Sequence, residues 1–368
     1  MKKKVLMMAT IASTIGQFNV ENIRILQSLG YEVHVAADLK DYGAWPRERV
    51  EKFVKDMAEM DVPCHQIDFS RSPLRIDRHS KSYQQLKQLL ADQHYSFIHT
   101  HTPIASAVGR LAAKSTGTKV IYTAHGFHFY TGAPLKNWII FYPVEKWLSK
   151  YTDVLITINQ EDYTRAQKKF HAKKTVYIPG TGVDTSRFIP GGSGRERIRR
   201  ELGLPENQIL LLSVGELNDN KNHSSVIRAI QGMNLTYAIV GKGEKKEELE
   251  QLGKDLGVDV RLTGFRNDVA DFYKAADVFI LPSLREGLNV SLMEAMASGL
   301  ACACGRIRGN TDLIDEPLFK PTDPDDIEKA ISLAISQREK LGQRNLEKIE
   351  KFDVKTVGNL ISAIYREI

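Results

Sequence analysis

Two glutamates lie in one stretch of the sequence, LPSLREGLNVSLMEAMASG, which begins at Leu281 and ends at Gly299. An apolar run of strand length, residues 277–281, leads into it, and apolar residues recur at helical spacing near its end. The pattern predicts a strand, a loop and a helix, with Glu286 and Glu294 on either side of the turn into the helix. Carboxylates bond strongly to hydroxyl groups, and helix N-terminal amides bind phosphate at the carboxyl ends of parallel strands. The candidate amides are those of Asn289, Val290 and Ser291. The stretch therefore suits a polar, phosphorylated ligand.

The same carboxylates also fit a purely structural role. Ser291 with Glu294, and Ser283 with Glu286, match the capping-box pattern of a helix N-terminus. The residues of this stretch leave both interpretations open.

The composition is that of a soluble globular protein, with 42% hydrophobic and 26% charged residues in 368. This length predicts roughly two domains. The formal charge of +6 and the pI near 9.0 favour anionic partners such as nucleotide phosphates, anionic lipid or nucleic acid. Basic residues are interspersed with acidic ones and no nucleic-acid motif is recognised, so we expect no nucleic-acid partner.

No set of residues in the sequence has the pattern of a metal site. Cys64, Cys302 and Cys304 have no further ligands nearby and fit buried thiols in a reducing cytoplasm. Asp323 with the acidic residues after it fits a helix N-cap and first turn. The N-terminal apolar run is too short for a signal peptide or a membrane span, so we interpret it as a first strand.

Strand-like and helical patterns alternate along the chain, which predicts parallel sheets and the α/β class. In the first half we predict strands at residues 4–9, 32–37, 65–69, 97–100, 119–123 and 154–158, helices at 20–29, 45–59, 80–92, 105–114 and 138–150, and a loop at 10–18. In the second half we predict strands at 209–214, 237–240, 260–262, 277–281 and 301–304, and helices at 195–202, 224–230, 245–256, after Asn289 and at 324–337. Glycines between 180 and 192 mark a hinge. We expect two Rossmann-like domains, residues 1–182 and 183–352, with a C-terminal segment 353–368 that returns to the first.

Several segments resemble glycosyltransferase family 4, whose members have the GT-B fold. The matching pieces of the second half are SVGELNDNKNH from Ser213, IVGKGE from Ile239, LTGFRNDV from Leu262 and ADVFILPSLREGLNVSLMEAMASG from Ala276. In the first half HTHTPIASAVGRLAA, YTAHGFHFYTG and NWIIFYPVEKWLSKYTDVLITINQED are similar to the bacterial subgroup that builds capsular polysaccharides and exopolysaccharides. The resemblance covers nearly the whole chain.

This resemblance implies a retaining transfer from a nucleoside diphosphate sugar held in an interdomain active-site cleft. It implies three catalytic residues: His125 facing the reacting sugar, Lys221 at the diphosphate and Glu286 at the sugar hydroxyls. It also implies that Glu294 binds the ribose, that the backbone near Arg266 binds the base, that Gly16 allows close backbone approach, and that the phosphate amides are those of Asn289, Val290 and Ser291. By residue type alone, Lys221 also fits a solvated lysine and His125 a hydrogen-bonded structural histidine.

The sequence departs from the family pattern at Glu216, which follows Gly215 where the family often has arginine. We hypothesise that Glu216 pairs with Lys221 or Arg285 and positions that cation for the donor phosphates. The missing cation could be replaced by Arg285, Arg266 or Lys242. The segment Gly241-Lys242-Gly243 fits a plain turn better than a phosphate loop.

The expected donor is a UDP-sugar carrying a hexose or N-acetylhexosamine, and the expected acceptor is an oligosaccharide or a polyprenyl-diphosphate-linked sugar. We expect no metal and no cofactor. The alternatives are a nucleotide-sugar epimerase or a phosphorylase of the same fold. We expect a cytoplasmic location, with peripheral contact to an anionic membrane left open. The aromatic segment that contains Trp138, Ile139, Phe141, Tyr142 and Trp147, with the lysine pairs Lys168-Lys169 and Lys173-Lys174 as headgroup contacts, fits membrane contact and core packing equally well.

Overall fold

The computed structural model describes residues 2–43, 45–192, 194–205 and 207–368. The chain divides into two compact units. The N-terminal unit comprises the residues up to Thr181 together with Val357–Ile368, and the C-terminal unit comprises Gly182–Thr356.

The N-terminal unit is built on a seven-stranded sheet of order β3-β2-β1-β4-β5-β6-β7, in which every pairing is parallel. Its elements are β1 (Lys4–Ile11), α1 (Ala12–Phe18), α2 (Val20–Ser28), β2 (Glu32–Asp38), α3 (Arg47–Glu59), β3 (Cys64–Gln66), α4 (Ile76–Gln93), β4 (Phe97–His101), α5 (Pro103–Thr116), β5 (Lys119–Ala124), α6 (Leu135–Leu148), β6 (Val154–Thr157), α7 (Gln160–Lys169) and β7 (Lys174–Tyr177). Strand order reverses between β1 and β4, which makes this pair the topological switch point.

The C-terminal unit has a six-stranded parallel sheet of order β10-β9-β8-β11-β12-β13. Its elements are α8 (Gly194–Glu201), β8 (Ile209–Val214), α9 (His223–Ala229), β9 (Leu235–Val240), α10 (Lys246–Leu256), β10 (Asp259–Gly264), α11 (Val269–Ala275), β11 (Val278–Leu281), α12 (Val290–Ala297), β12 (Ala301–Gly305), α13 (Asn310–Leu313), β13 (Leu318–Phe319), α14 (Pro324–Ser336) and α15 (Arg338–Ile349). A last helix, α16 (Val354–Glu367), begins in this unit and ends in the N-terminal one. The switch point here lies between β8 and β11.

Both faces of each sheet are covered, as the apolar strands require. In β1, Val5 and Met7 belong to the hydrophobic cluster that includes Val357 and Ile361 of α16, whereas Leu6 belongs to a separate cluster on the opposite face. The predicted class, two α/β units with parallel sheets, is confirmed. Within the described residues, no helix combines the length and the apolar character that crossing a membrane would require.

The predicted loop at residues 10–18 is wrong, because β1 continues to Ile11 and α1 follows it directly. Gly16 therefore lies inside a helix. A Cβ at Gly16 would lie 2.3 Å from the Trp45 ring and 3.1 Å from the Phe53 ring. The close packing of these rings accounts for the glycine, so the structure does not require a ligand to explain it.

Candidate active site

The two loops at the switch point of the C-terminal unit bring the main candidates together. β8 and β11 are neighbours in the sheet, and each ends in one of these loops. The Asn220 side chain donates to the carbonyl of Arg285 at 3.2 Å, and the backbone N–H of Leu284 donates to the carbonyl of Asn220 at 2.8 Å. The two loops are thereby fastened to each other directly before Lys221 and Glu286, which are 65 residues apart in sequence.

Lys221 and Glu286 form an ion pair with 2.7 Å between Nζ and Oε1. The side chains are 18% and 14% exposed, so the pair is shielded but remains open to solvent on one side. The side chain of Asn218 accepts a hydrogen bond from the backbone N–H of Lys221, and Nε of Arg308 donates to the carbonyl of Glu286. A cation and a carboxylate are thus held in fixed positions at the place where open α/β sheets bind ligands. Lys221 is not the freely solvated lysine of the alternative interpretation.

Glu216 does not pair with either cation proposed from the sequence. Its carboxylate accepts a hydrogen bond from Asn218 at 2.8 Å, while the ammonium of Lys221 is bonded to Glu286. Among the described residues there is no salt bridge between Glu216 and Arg285. The pairing hypothesis is therefore wrong. The backbone of Glu216 is held separately, since Nε2 of His223 donates to its carbonyl at 3.2 Å.

Helix α12 begins with a cap that differs from both capping boxes. The N-cap is Asn289, whose side chain accepts from the backbone N–H of Leu292 at 2.9 Å. Glu294 instead accepts a hydrogen bond from the hydroxyl of Tyr273 at 2.8 Å, and burial raises the pKa of this carboxyl. Because Glu286 is bonded to Lys221, neither glutamate caps a helix. The remaining candidate amides, those of Val290 and Ser291, lie in the first turn of α12.

The structure does not bring the Arg266 side chain to the Lys221–Glu286 pair. Its guanidinium bonds to both oxygens of Glu201, at 2.6 and 3.0 Å, and to both oxygens of Asp268, at 2.8 and 2.9 Å. It also lies over the Phe272 ring at 5.0 Å. Two carboxylates already neutralise this cation, so Arg266 does not replace the arginine that the family pattern has after Gly215. The prediction for its backbone stays untested.

The two glycines of the segment Gly241-Lys242-Gly243 allow it to pack closely against the backbone of residues 215–217. A Cβ at Gly241 would lie 1.8 Å from the carbonyl oxygen of Gly215, and one at Gly243 would lie 2.3 Å from that of Leu217. The N–H of Leu217 donates to the carbonyl of Lys242 at 3.0 Å. The segment supports the loop that carries Lys221, as expected for a turn.

In the N-terminal unit, His125 follows β5 and is hydrogen-bonded to His101 at the end of β4, with 3.0 Å between Nε2 and Nδ1. His99 lies two residues before His101 in β4. It is hydrogen-bonded to the hydroxyl of Thr123 at 2.8 Å and to the hydroxyl of Tyr365 in α16 at 2.7 Å. Burial lowers the pKa of His99 to about 3 and that of His125 to about 4, so both imidazoles are neutral at physiological pH. Nε2 of buried His101 has no hydrogen-bond partner among the described residues. His125 therefore has a structural partner, and it is suited to a neutral hydrogen bond rather than to charge stabilisation.

Sequence reasoning missed three residues that hold the candidates in place. Tyr273 orients Glu294, Asn218 contacts both Glu216 and Lys221, and Arg308 holds the backbone of Glu286. The family-like segment containing Asn218 was recognised without a role for this residue, and the Arg308 segment, GRIRGN after β12, was not singled out. Within the described residues no three His, Cys, Asp or Glu side chains are grouped so that they could hold a metal ion.

Two family comparisons together match most of the chain. Residues 16–187 match the family described as Glycosyltransferase Family 4, and residues 194–350 match Glycosyl transferases group 1. Among individual proteins, the chain is 36% identical over 328 residues to the provisionally named glycosyltransferase EpsD of Bacillus subtilis, covering 85% of this chain and 81% of that protein. It is 33% identical to the UDP-Gal:alpha-D-GlcNAc-diphosphoundecaprenol alpha-1,3-galactosyltransferase of Escherichia coli, over 64% of each chain.

Solved structures with the same fold share little sequence with this chain. HepE of Anabaena, solved with UDP, superimposes with a TM-score of 0.78 at 18% identity over 99% of this chain and all of HepE. A glycosyltransferase of Rickettsia africae gives a TM-score of 0.79 at 16% identity, over 100% of this chain and 98% of that one. The fold is therefore that of the GT-B glycosyltransferases. The chain belongs to glycosyltransferase family 4, and it is a glycosyltransferase.

Proposed function

We propose that the enzyme transfers a hexose or N-acetylhexosamine from a UDP-sugar, with retention, to a polyprenyl-diphosphate-linked or oligosaccharide acceptor in bacterial exopolysaccharide or capsule biosynthesis. The name of the Escherichia coli relative specifies UDP-galactose and a diphosphoundecaprenol-linked sugar. Solved complexes of HepE contain UDP and UDP-glucose. These relatives support the substrate classes, and the observation that carries the chemistry is the Lys221–Glu286 pair at the switch point.

In the proposed mechanism the bond between the anomeric carbon and the diphosphate oxygen breaks as the acceptor oxygen attacks from the same face of the sugar. The acceptor proton passes to the leaving diphosphate oxygen. Negative charge grows on this diphosphate, and Lys221 with the first-turn amides of Val290 and Ser291 would stabilise it without moving. A fixed donor of this kind lowers a barrier by roughly 3–4 kcal/mol.

Glu286 would accept hydrogen bonds from the donor-sugar hydroxyls while its other interaction, with Lys221, keeps both groups in register. Glu294, oriented by Tyr273, would accept hydrogen bonds from the ribose. His125 would contact the reacting sugar as a neutral imidazole, and the backbone near Arg266 would contact the base. The backbone at Gly16 would approach the donor closely, in addition to the packing of this glycine against Trp45 and Phe53.

A donor and acceptor screen tests this function. The purified enzyme is incubated with UDP- and GDP-sugars and with lipid-linked or oligosaccharide acceptors, and both nucleotide release and the anomeric configuration of the product are measured. We expect acceptor-dependent UDP release and a retained configuration. Conversion of the UDP-sugar without an acceptor would indicate an epimerase, and a requirement for inorganic phosphate would indicate a phosphorylase.

We further propose that transfer needs neither a metal nor a cofactor, because Lys221 and the helix amides supply the positive charge that a divalent cation would otherwise supply. Transfer should therefore continue in EDTA. Loss of transfer that magnesium or manganese restores would contradict this part of the mechanism. We also propose that the enzyme works in the cytoplasm, where a lipid-linked acceptor would be reached at the inner face of the membrane.

A further inference from the structure

Apart from Lys136, the exposed residues of helix α6 are apolar. Exposed side chains occur at the helical spacing that places them on one side, and the large apolar ones are between 48% and 73% exposed. They are Leu135, Ile139, Ile140, Val144 and Trp147. A surface helix of a globular protein normally turns polar residues to solvent. This face, which we call the α6 apolar face, is therefore unusual and is available to a partner.

The opposite face of α6 is firmly attached to the N-terminal unit. Trp138, Phe141 and Tyr142 pack against the hydrophobic cluster around Phe127 and Phe129. The aromatic segment singled out from the sequence thus divides between core and surface. Since the core side is already filled, the outward residues are not needed to hold the helix in place.

The single carboxylate of α6 also points inward. Glu145 is buried and bonds to the guanidinium of Arg110 at 2.8 Å, and this guanidinium lies over the Tyr122 ring. A buried ion pair of this kind fixes the rotation of the helix, because turning it would expose the apolar core residues and separate the two charges.

The exposed charges of α6 and of the residues next to it in sequence are positive. Between Thr131 and Tyr151 the sequence contains Lys136, Lys146 and Lys150, and its one acidic residue is the inward-facing Glu145. Lys136 and Lys150 are exposed, and Lys146 is half-buried. An apolar stripe with lysines along it is the pattern of a helix that lies in the plane of an anionic membrane surface.

We propose that α6 docks the enzyme on an anionic lipid surface, with the α6 apolar face at the boundary between headgroups and acyl chains and its lysines at the lipid phosphates. A second copy of this chain is the competing occupant. A symmetric dimer through this face would bring the lysines of two copies together, which is unfavourable unless other groups compensate. Anionic lipid satisfies both the apolar surface and the charge.

The physiological purpose of this docking rests on the proposed lipid-linked acceptor, but vesicle binding itself needs no substrate and can be measured separately. The full chain is mixed with vesicles of phosphatidylcholine alone or with phosphatidylglycerol added, and bound protein is measured by sedimentation. We expect binding to the anionic vesicles, weaker binding at high salt, and a blue shift of Trp147 fluorescence that is lost in Trp147→Phe.

Two sets of variants separate the apolar and the charged contributions. Ile139→Asp should lower partitioning into vesicles by about tenfold or more, since it removes a large apolar side chain from the membrane contact and adds a negative charge that anionic lipid repels. Changing Lys136, Lys146 and Lys150 to glutamine should cost about fivefold for each lysine. The matched control is Leu74→Asp, because Leu74 is an exposed apolar residue of the same unit whose neighbours Arg71 and Arg75 are bonded to carboxylates.

The proposal is overturned if the anionic vesicles do not bind the protein, or if Leu74→Asp loses as much binding as Ile139→Asp. It is also overturned if the protein is a dimer without vesicle affinity and Ile139→Asp converts it to a monomer, since the face would then be a self-interface. Transfer to a short-chain, water-soluble acceptor should be unchanged in Ile139→Asp. Vesicle binding without transfer from any nucleotide sugar would leave the docking intact and refute the proposed function instead.

Discussion

Replacing Lys221 with alanine should separate a catalytic role from a structural one. The ammonium group lies 2.7 Å from Glu286, where it would stabilise charge on a departing diphosphate. Loss of one fixed donor of this kind lowers turnover by about 100- to 1000-fold, which corresponds to about 2.7–4 kcal/mol. We therefore expect kcat to fall by about this factor in Lys221→Ala.

The stability cost of the same change should be smaller. The two side chains are 18% and 14% exposed, which places the pair between an exposed ion pair and a fully buried one. Removing the lysine leaves a partly shielded carboxylate without its partner, so we expect a loss of about 1–2 kcal/mol in the free energy of unfolding. The double variant Lys221→Ala/Glu286→Ala should recover most of this stability and none of the turnover.

Steady-state kinetics with donor and acceptor, together with urea unfolding, measure both quantities. Lys348→Ala is the matched control, because Lys348 is 26% exposed and pairs with Asp315 at 3.1 Å in the same unit. The control should lose a similar or smaller amount of stability and keep its turnover. Near-normal turnover in Lys221→Ala, or an equal loss in Lys348→Ala, would refute the assignment of the diphosphate to Lys221.

Two further predictions concern the carboxylates and the buried histidines. Calorimetry should show that Glu294→Ala weakens binding of free UDP, whereas Glu286→Ala leaves it nearly unchanged and impairs transfer; normal UDP binding in both variants would remove the ligand roles assigned to them. Acidification should destabilise the C-terminal unit through His223, because burial lowers its pKa from 6.5 to about 4 and the unfolded chain therefore takes up the proton first. The contribution of His223 is fully present above about pH 6.5 and falls by up to about 1.4 kcal/mol for each pH unit between there and about pH 4. Urea unfolding between about pH 7 and pH 5 should show a smaller pH slope in His223→Asn and an unchanged slope in the exposed control His171→Asn; equal slopes in all three proteins would exclude this origin.

The order and type of most elements could be predicted from the sequence, because local patterns determine them. The strand Ile209–Val214 was predicted to the residue, since its mainly apolar run is bounded by Gln208 and Gly215. Helix α14 begins after Asp323, whose side chain accepts from the backbone N–H of Asp326 as the capping pattern predicts. Helices α11 and α15 were not predicted: α11 has only seven residues, too few to show a helical repeat, and α15 is rich in charged residues.

The loop predicted at residues 10–18 was wrong because a glycine can mark either a loop or a place where a helix packs closely against large side chains. Gly16 favoured a loop in the sequence, but its missing side chain makes room for Trp45 and Phe53. Which of the two applies depends on residues that lie about 30 positions away, and no local pattern contains that information.

In the candidate site, too, the sequence showed some features and only the tertiary structure decided the others. The sequence showed the types of Lys221, Glu286, Asn289 and Glu294 and placed them in the segments that follow strands, and ligand-binding residues of parallel sheets cluster in such segments. Their partners were decided only by the tertiary structure: Lys221 bonds to Glu286 and not to Glu216, and Glu294 is held by a tyrosine. Hydrogen bonds between residues far apart in sequence depend on distances and orientations that the packed sheet sets.

Helix α6 shows why the sequence alone does not determine which residues of an apolar helix are buried. The sequence of this helix is apolar nearly all round, so it shows which residues could be buried but not which are. Burial is decided by the elements that pack against one side: Phe129 and Phe170 cover Tyr142, and Arg110 draws Glu145 inward. The sequence by itself determined that this segment is a helix, and the tertiary contacts determined that Ile139 and Trp147 face outward.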